Sequence, residues 1–298
     1  MIRFLKKQKA YLFIGYAFLL LVHFGFKDYF YVSGIIFYAF PLPILILGIT
    51  IICTLFFSSK IIRYSSLLLI GLLLLLWFKN YYFNYNIADI KSKHSIVLWN
   101  IAEEKNKNLD YLKQKIKIEE PETLLFVEAF HNVRDSAYFY SQLKSYNVKC
   151  LAGSIIVASK HKIDYVKYVK EVSNFKFCHI KLHSEKKPLE IIIVDVYARP
   201  THNRKDALHK IISYAELNNI DIIAGDFNTP YESVHFNTYE DNYQSLRKFQ
   251  NGFSATWPFG LPLLELDQIW IKKSLKPIAL KKHKTINSDH AMLLGYFD

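Results

Sequence analysis

Ile222-Ile223-Ala224-Gly225-Asp226-Phe227-Asn228-Thr229-Pro230 is an apolar run that stops at a glycine and delivers an acid and an amide two residues apart. The run is short and β-branched, so it reads as a buried strand, and the Gly-Asp-x-Asn-x-Pro turn ends it. Side chains two apart on extended backbone point the same way, which places Asp226 and Asn228 on one site. The ends of strands are where α/β sheets carry their chemistry. A lone Asp-x-Asn would also suit an Asx-type turn after a core strand. The rest of the chain decides between the two.

Four other segments have the same form. Ser95-Ile96-Val97-Leu98-Trp99-Asn100 ends in an amide, and Thr123-Leu124-Leu125-Phe126-Val127-Glu128 ends in an acid. Leu266-Asp267-Gln268-Ile269-Trp270-Ile271 carries one acid at its start, and Ser288-Asp289-His290 precedes a last apolar run to Phe297. Polar groups at the ends of five strands describe one site. Strands are expected at 94–99, 123–128, 153–159, 176–182, 190–197, 220–225, 266–271 and 291–297. Helical spacing appears at 108–118 (Leu109, Leu112, Ile116) and at 203–217 (Ala207, Leu208, Ile211, Ile212, Ala215).

In order, Trp-Asn-Ile, apolar-Glu, Gly-Asp-Phe-Asn, Leu-Asp-x-Ile and Ser-Asp-His resemble the endonuclease/exonuclease/phosphatase superfamily, which includes deoxyribonuclease I, exonuclease III and the neutral sphingomyelinases. The resemblance covers residues 94–298. It implies an α/β sandwich of two packed sheets, deoxyribonuclease I-like, and hydrolysis of phosphate esters with Mg²⁺ or Mn²⁺. It makes Glu128 a metal ligand, with Asn100 orienting metal or phosphate and Asp289 a further ligand. Asp226 would align or deprotonate the attacking water, and Asn228 would hold the phosphate in line. Asp267 would pair with His290, the general base or electrophile, and favour its charged form. Such roles suit the chemistry, because a hard, water-retaining ion takes oxygen donors and a phosphoryl group needs its charge clamped.

Two positions depart from the family pattern. After the central strand, Tyr197-Ala198-Arg199-Pro200 offers Tyr197 as the phosphate-contacting phenol, while Arg199 stands where relatives often have His before Pro and is a substrate-binding candidate. A slip of two in alignment exchanges them. Val127 replaces a Gln common before the metal-binding Glu, which removes a hydrogen bond beside the metal site and leaves the site's own donors.

The first eighty residues are a different material. Apolar stretches at 11–26, 39–57 and 64–78 carry almost no charge and approach the length of about 20 residues that spans a hydrocarbon core. They predict a transmembrane region over 1–80, a linker over 81–93 and the catalytic-type domain over 94–298. Pro41-Leu42-Pro43 separates an aromatic arm (Phe30, Tyr31, Phe37, Tyr38) from the second span. Arg3, Lys6, Lys7 and Lys9 before the first span, and Lys60 and Arg63 after the second, put the N-terminus in the cytoplasm by the positive-inside rule. Three spans then carry the domain to the outside of a cell membrane.

The net charge of +12 divides into +6 for residues 1–90 and +6 for the rest. The positive domain suits an anionic partner, nucleic acid or a phospholipid headgroup, and the lipid bilayer is the other expected partner. Nothing in the chain points to a protein partner. Three cysteines show no metal or redox spacing, and the scattered histidines lack ligand partners. A transporter is the third and least favoured reading, since spans almost without polar residues offer no pathway. A non-catalytic membrane-anchored binding module that keeps the same fold is the alternative to an enzyme. Substrate choice falls to the loops at 231–253 and 257–264, where Trp257, Phe259 and Leu261 could stack bases, enter a bilayer or pack inside.

Overall fold

The computed structural model describes residues 9–87, 90–102, 110–129, 133–172, 174–184, 187–199, 201–202, 204–261 and 263–298. Arg3, Lys6, Lys7, Asn108, Leu109, Pro200 and Asn203 of the sequence reading lie outside them. The chain divides into two units, Met1–Tyr82 and Phe83–Asp298.

The first unit is helical. Helix α1 (Lys9–Leu21) continues through a wider turn to Phe26, α2 is Tyr31–Ala39, α3 is Leu42–Leu55 and α4 is Lys60–Tyr81. The Lys9–Phe26 and Lys60–Tyr81 helices are long and apolar enough to cross a membrane. Helices α2 and α3 make a third such segment if they count as one span, bent by 70°. The bend falls where Pro41 and Pro43 cannot continue the helix before them. Inside the unit, Tyr16 Oη donates to the Leu45 carbonyl (3.0 Å) and Tyr38 Oη to Asp28 Oδ2 (2.8 Å), so these two phenols have partners.

The second unit contains two six-stranded sheets. The strands of these sheets are β1 (His94–Asn100), β2 (Thr123–Val127), β3 (Asn147–Leu151), β4 (Ile155–Ser159), β5 (Lys162–Glu171), β6 (Phe175–His183), β7 (Leu189–Val196), β8 (Ile222–Asp226), β9 (Tyr243–Ser245), β10 (Asp267–Lys272), β11 (Pro277–His283) and β12 (Met292–Phe297). One sheet runs β9-β10-β8-β7-β6-β5 and the other β11-β12-β1-β2-β4-β3. Helices α5 (Asp110–Glu119), α6 (Val133–Gln142) and α7 (Arg204–Leu217) join them.

Alternation along each strand sorts side chains into three layers of core. Leu98, Leu125, Val157, Ile180, Ile191, Ile193, Ile222 and Ala224 fill the space between the sheets. Phe126, Ile156 and Leu294 pack outward on Leu112 of α5 and Phe139 of α6. Ile192, Ile223 and Trp270 pack outward on Leu208 and Ile211 of α7. Each sheet is thus covered on both faces, which is why its central strands read as unbroken apolar runs instead of alternating ones. The architecture is the two-sheet α/β sandwich expected from sequence.

The two six-stranded sheets hold twelve strands where eight were expected, and the additional four, β3, β5, β9 and β11, are their edges. Edge strands lack a neighbour on one side and carry charge that blocks further pairing, as Lys-Ile-Asp-Tyr-Val-Lys-Tyr-Val-Lys-Glu in β5 shows. Their apolar signal is correspondingly weak.

Gly225 is required by close approach in the centre of the first sheet. It pairs with Val194 on β7, and a Cβ at this position would come within 1.9 Å of the Val194 carbonyl oxygen. Backbone cannot yield as a side-chain end can. Gly225→Ala is therefore expected to destabilise the second unit by about 3 kcal/mol, at the upper end for an overpacked core. A lowered urea midpoint followed by Trp fluorescence checks this, and an unchanged midpoint would refute it.

Candidate active site

Strands β1 and β8 bring their polar ends together across the two sheets. Asn100 Nδ2 donates to Asp226 Oδ2 at 2.9 Å, and both residues are about 1% exposed. The Asn100 amide oxygen accepts from the Ala102 N–H (2.8 Å), which fixes the amide's orientation. On the same acid, the Asn228 backbone N–H donates to Oδ1 (2.8 Å) and Asn228 Nδ2 to Oδ2 (3.1 Å). Asn228 Nδ2 also donates to the Val196 carbonyl at the end of β7. Asp226 is thereby held at both oxygens.

Strand β10 runs antiparallel to β8 with Asp267 opposite Asp226. Thr256 Oγ1 accepts from the backbone N–H groups of Leu266 and Asp267, which anchors the start of that strand. The loop before β12 supplies His290, whose Nδ1 lies 2.8 Å from Asp267 Oδ2 and whose Nε2 lies 3.9 Å from Asp226 Oδ2. Ser288 is the peg of this loop: its hydroxyl donates to the Asn100 carbonyl (2.7 Å) and accepts from the His290 N–H (3.0 Å).

Burial alone would strip the charge from His290, but Asp267, its hydrogen bond, and then Asp226 outweigh it and raise the imidazole to about 10. Burial, followed by the neighbouring Asp267 carboxylate, pushes Asp226 well above the carboxylate range. Its affinity for a proton is accordingly high for an acid. Asp226, Asp267 and His290 offer ligand atoms within 4.8 Å of one another. With His290 charged, both ring nitrogens carry protons and neither can ligate a cation, so this triangle is better suited to moving protons.

Five of the residues picked out from sequence, Asn100, Asp226, Asn228, Asp267 and His290, form one continuous polar network. The others stand on residues next to it. Glu128 follows the end of β2, where Val127 pairs with Asn100, and its backbone is left-handed (φ 49°). Asn228 (φ 46°) and Ala102 (φ 54°) share that conformation just beyond β8 and β1. Asn tolerates it, whereas Glu and Ala hold it at a cost, and such strain gathers at functional sites. Asp289 is exposed, and the Trp257 indole N–H donates to its carboxylate at 2.8 Å. Tyr197 directly follows Val196, 41% exposed, with the Arg199 guanidinium over its ring (5.6 Å) and the His202 ring edge-on (5.0 Å). Trp257 is partly buried, while Phe259 and Leu261 are exposed.

Sequence reading passed over Asp195, Lys176 and Arg204. Asp195 on β7 is buried beside Asp226 in register and pairs with Lys176 (2.9 Å). An acid inside Ile-Ile-Ile-Val-Asp-Val was the available signal. Arg204, 3% exposed at the start of α7, donates from Nε to the Asn228 carbonyl (3.2 Å). Cys53, Cys150 and Cys178 are free, and burial pushes the Cys178 thiol up to about 12.

The His290–Asp267 pair gives stability a direction with pH. A histidine raised in the folded state stabilises fully below its unfolded value of about 6.5, and the contribution fades as pH rises toward about 10. Asp267→Asn is expected to cost about 3 kcal/mol at pH 6, since it leaves a buried charge without its partner. The deficit against the parent should shrink steadily to pH 10 in thermal melts; a deficit that does not change over that range would refute the pairing.

The model of the Endonuclease/Exonuclease/phosphatase family matches residues 97–290. Among solved structures, D. rerio TDP2 complexed with single strand DNA product is similar at TM-score 0.56 and 13% identity, over 70% of this chain and 100% of that one. The Bacteroides thetaiotaomicron mannosyl-6-phosphatase gives 0.56 and 12%, over 69% and 99%. The human Nocturnin catalytic domain with bound sulfate gives 0.51 and 16%, over 69% and 94%. No curated protein matches the chain in sequence. These likenesses share the two-sheet frame, and the matched span holds both the Gly-Asp-Phe-Asn turn and the Ser-Asp-His loop around which the network is built. The chain belongs to the endonuclease/exonuclease/phosphatase family.

Proposed function

We propose that the protein is a membrane-anchored, divalent-metal-dependent hydrolase that cleaves phosphodiester bonds in nucleic acid or in phospholipid headgroups. The observation that carries this reading is the intact Asn100–Asp226–Asn228 and Asp267–His290 network at one rim of the sandwich. A binding module would have no need of a buried acid with raised proton affinity beside a charged imidazole, since both are unfavourable to bury.

The donor chemistry fits a hard cation. Glu128, Asn100 and Asp289 offer only oxygen ligands, and Mg²⁺ or Mn²⁺ takes a few such ligands and keeps its water. Those three residues would hold it, and when bound it would supply charge neutralisation at the phosphoryl oxygens. Asp226, steadied at both oxygens, accepts the proton of the attacking water, a task for which its raised affinity suits it. Asn228 and Asn100 keep its carboxylate from rotating. His290, charged and oriented through Nδ1 by Asp267, presents Nε2–H to a phosphoryl oxygen as charge develops there. Tyr197 and Arg199 face the substrate from the loop after β7. The domain's positive charge supports an anionic substrate, and the exposed Phe259 and Leu261 lie in a loop suited to distinguishing bases from lipid.

Glu128→Ala and Asp226→Asn are each expected to lower turnover at least a hundredfold on a panel of nucleic acids, sphingomyelin and phosphoinositides, with the fold retained by circular dichroism. Parent turnover that survives EDTA undiminished would overturn the metal-dependent mechanism.

The apolar helices support a location in the cell membrane, and the basic residues flanking them support an extracytoplasmic domain on three spans. A Lys187→Cys variant, with the native cysteines replaced by Ser, should react with a membrane-impermeant maleimide in intact cells. Reaction only after lysis would place the domain inside.

A further inference from the structure

The edge strands β5 of the first sheet and β3 of the other meet at one side of the sandwich. A bulge at Val166 shifts the register of β5 on β6, so that Tyr165 pairs with Ile180 and Tyr168 with Cys178. Three residues apart, the two tyrosines would face opposite ways on a regular strand. The extra residue turns both toward the face that carries Ile180 and Cys178, which is the one between the sheets. Lys170, paired with Lys176, follows Tyr168 on that face. From the other sheet, Lys149 on β3 pairs with Val157 of the same inner core and so points into the same gap.

The apolar filling stops short of this edge. Tyr165, Lys149 and Tyr140 of α6 line an open cavity of about 420 Å³ whose floor is Cys150, Leu151 and Ala152. Tyr140 is 49% exposed and Tyr165 48%. Neither Lys149 nor Lys170 has an ion pair among the described residues, whereas Asp164 and Glu171, the acids of β5, are taken by Lys162 and Lys210. Lysine alone is what an edge strand needs to block further pairing. Two tyrosines turned to one face by a bulge, beside cations without partners, serve no such purpose.

The edge also leads to the cleft. Lys170, Lys176, Asp195 and Asp226 pair in turn across β5, β6, β7 and β8, so Lys170 stands at the depth of the cleft, three strand spacings or about 14 Å from Asp226. Single-stranded nucleic acid is held by basic grooves in which bases stack on aromatic rings. We propose that this edge is a track for single-stranded nucleic acid on its way to or from the cleft, with Tyr165 and Tyr140 as stacking platforms and Lys149 and Lys170 on the phosphates. A choline headgroup also suits tyrosine rings, but its ammonium would meet the unpaired charge of Lys149. The inference rests on the phosphodiester reading above and narrows its substrate to nucleic acid.

The test is fluorescence anisotropy of a labelled twelve-nucleotide oligothymidylate titrated with the full chain in phosphatidylcholine nanodiscs, in EDTA to hold back cleavage. Tyr165→Ala should bind about tenfold more weakly than the parent, the loss of one stacked base, and Tyr165→Phe, which keeps the ring, should bind as the parent does. The double variant Lys149→Ala/Lys170→Ala should flatten the dependence of log affinity on log salt by about 0.7 for each lysine. Equal affinity of parent and Tyr165→Ala, an unchanged salt slope in the double variant, or no binding by the parent would each overturn the track. A parent that turns over sphingomyelin or phosphoinositides with Mn²⁺ yet does not bind the oligonucleotide sinks this inference and leaves the hydrolase reading standing. Oligonucleotide binding that depends on the Tyr165 ring, with no turnover of any phosphodiester, supports the track and sinks the hydrolase reading instead.

Discussion

The hydrogen bond from Asn100 to Asp226 joins the two sheets at their polar rim, and the rest of the site is arranged around it. Each residue is the last of a central strand, and each is almost wholly buried. Each lowers the cost of burying the other, because a buried carboxylate or amide is expensive without hydrogen-bond partners. The bond therefore works as a register pin. It holds strand ends from separate sheets at one depth, so that His290, pegged to Asn100 through Ser288, arrives at the correct height above Asp226.

Below the rim the sandwich is apolar. Isoleucine, valine and leucine from both sheets fill it, and one glycine admits the close approach of β7 and β8 just before the first catalytic-type acid. The contrast between apolar interior and charged mouth sets the electrostatics. Carboxylates at the edge of so apolar a medium interact more strongly than they would in water, which is why the proton affinities of Asp226 and His290 are both raised. An acid with raised proton affinity and an imidazole fixed as a cation suit the two halves of the hydrolysis proposed above, proton removal and charge stabilisation.

The first unit follows another logic. Its helices expose large apolar side chains such as Ile14, Ile61, Leu68 and Leu75, an arrangement suited to lipid and costly in water. Family membership concerns the second unit alone, since the matched span begins at residue 97.

Much of this was legible in the chain by itself. The central strands were readable because both their faces are buried, so they appear as uninterrupted apolar runs ended by Gly, Asn, Asp or Glu; the polar ends at Asn100, Glu128, Asp226, Asp267 and His290 followed from the same pattern. The apolar helices were legible because their length and lack of charge are properties of sequence alone, and Pro41 and Pro43 marked the break between α2 and α3. What the sequence could not contain was registration. The four edge strands had too little apolar content to be seen, being half exposed and charged. Asp195 and Lys176 looked like any acid in a strand and any surface lysine until pairing set them in line with Asp226. Trp257, open to three readings, is held by its bond to Asp289, and the loop from Tyr197 to Arg204 is fastened to Asn228 at both ends. Each of these depends on contacts between residues distant in the chain. Residue type and local spacing determine strand and helix, while the depth and direction at which charged groups meet are decided only when the two sheets close on one another.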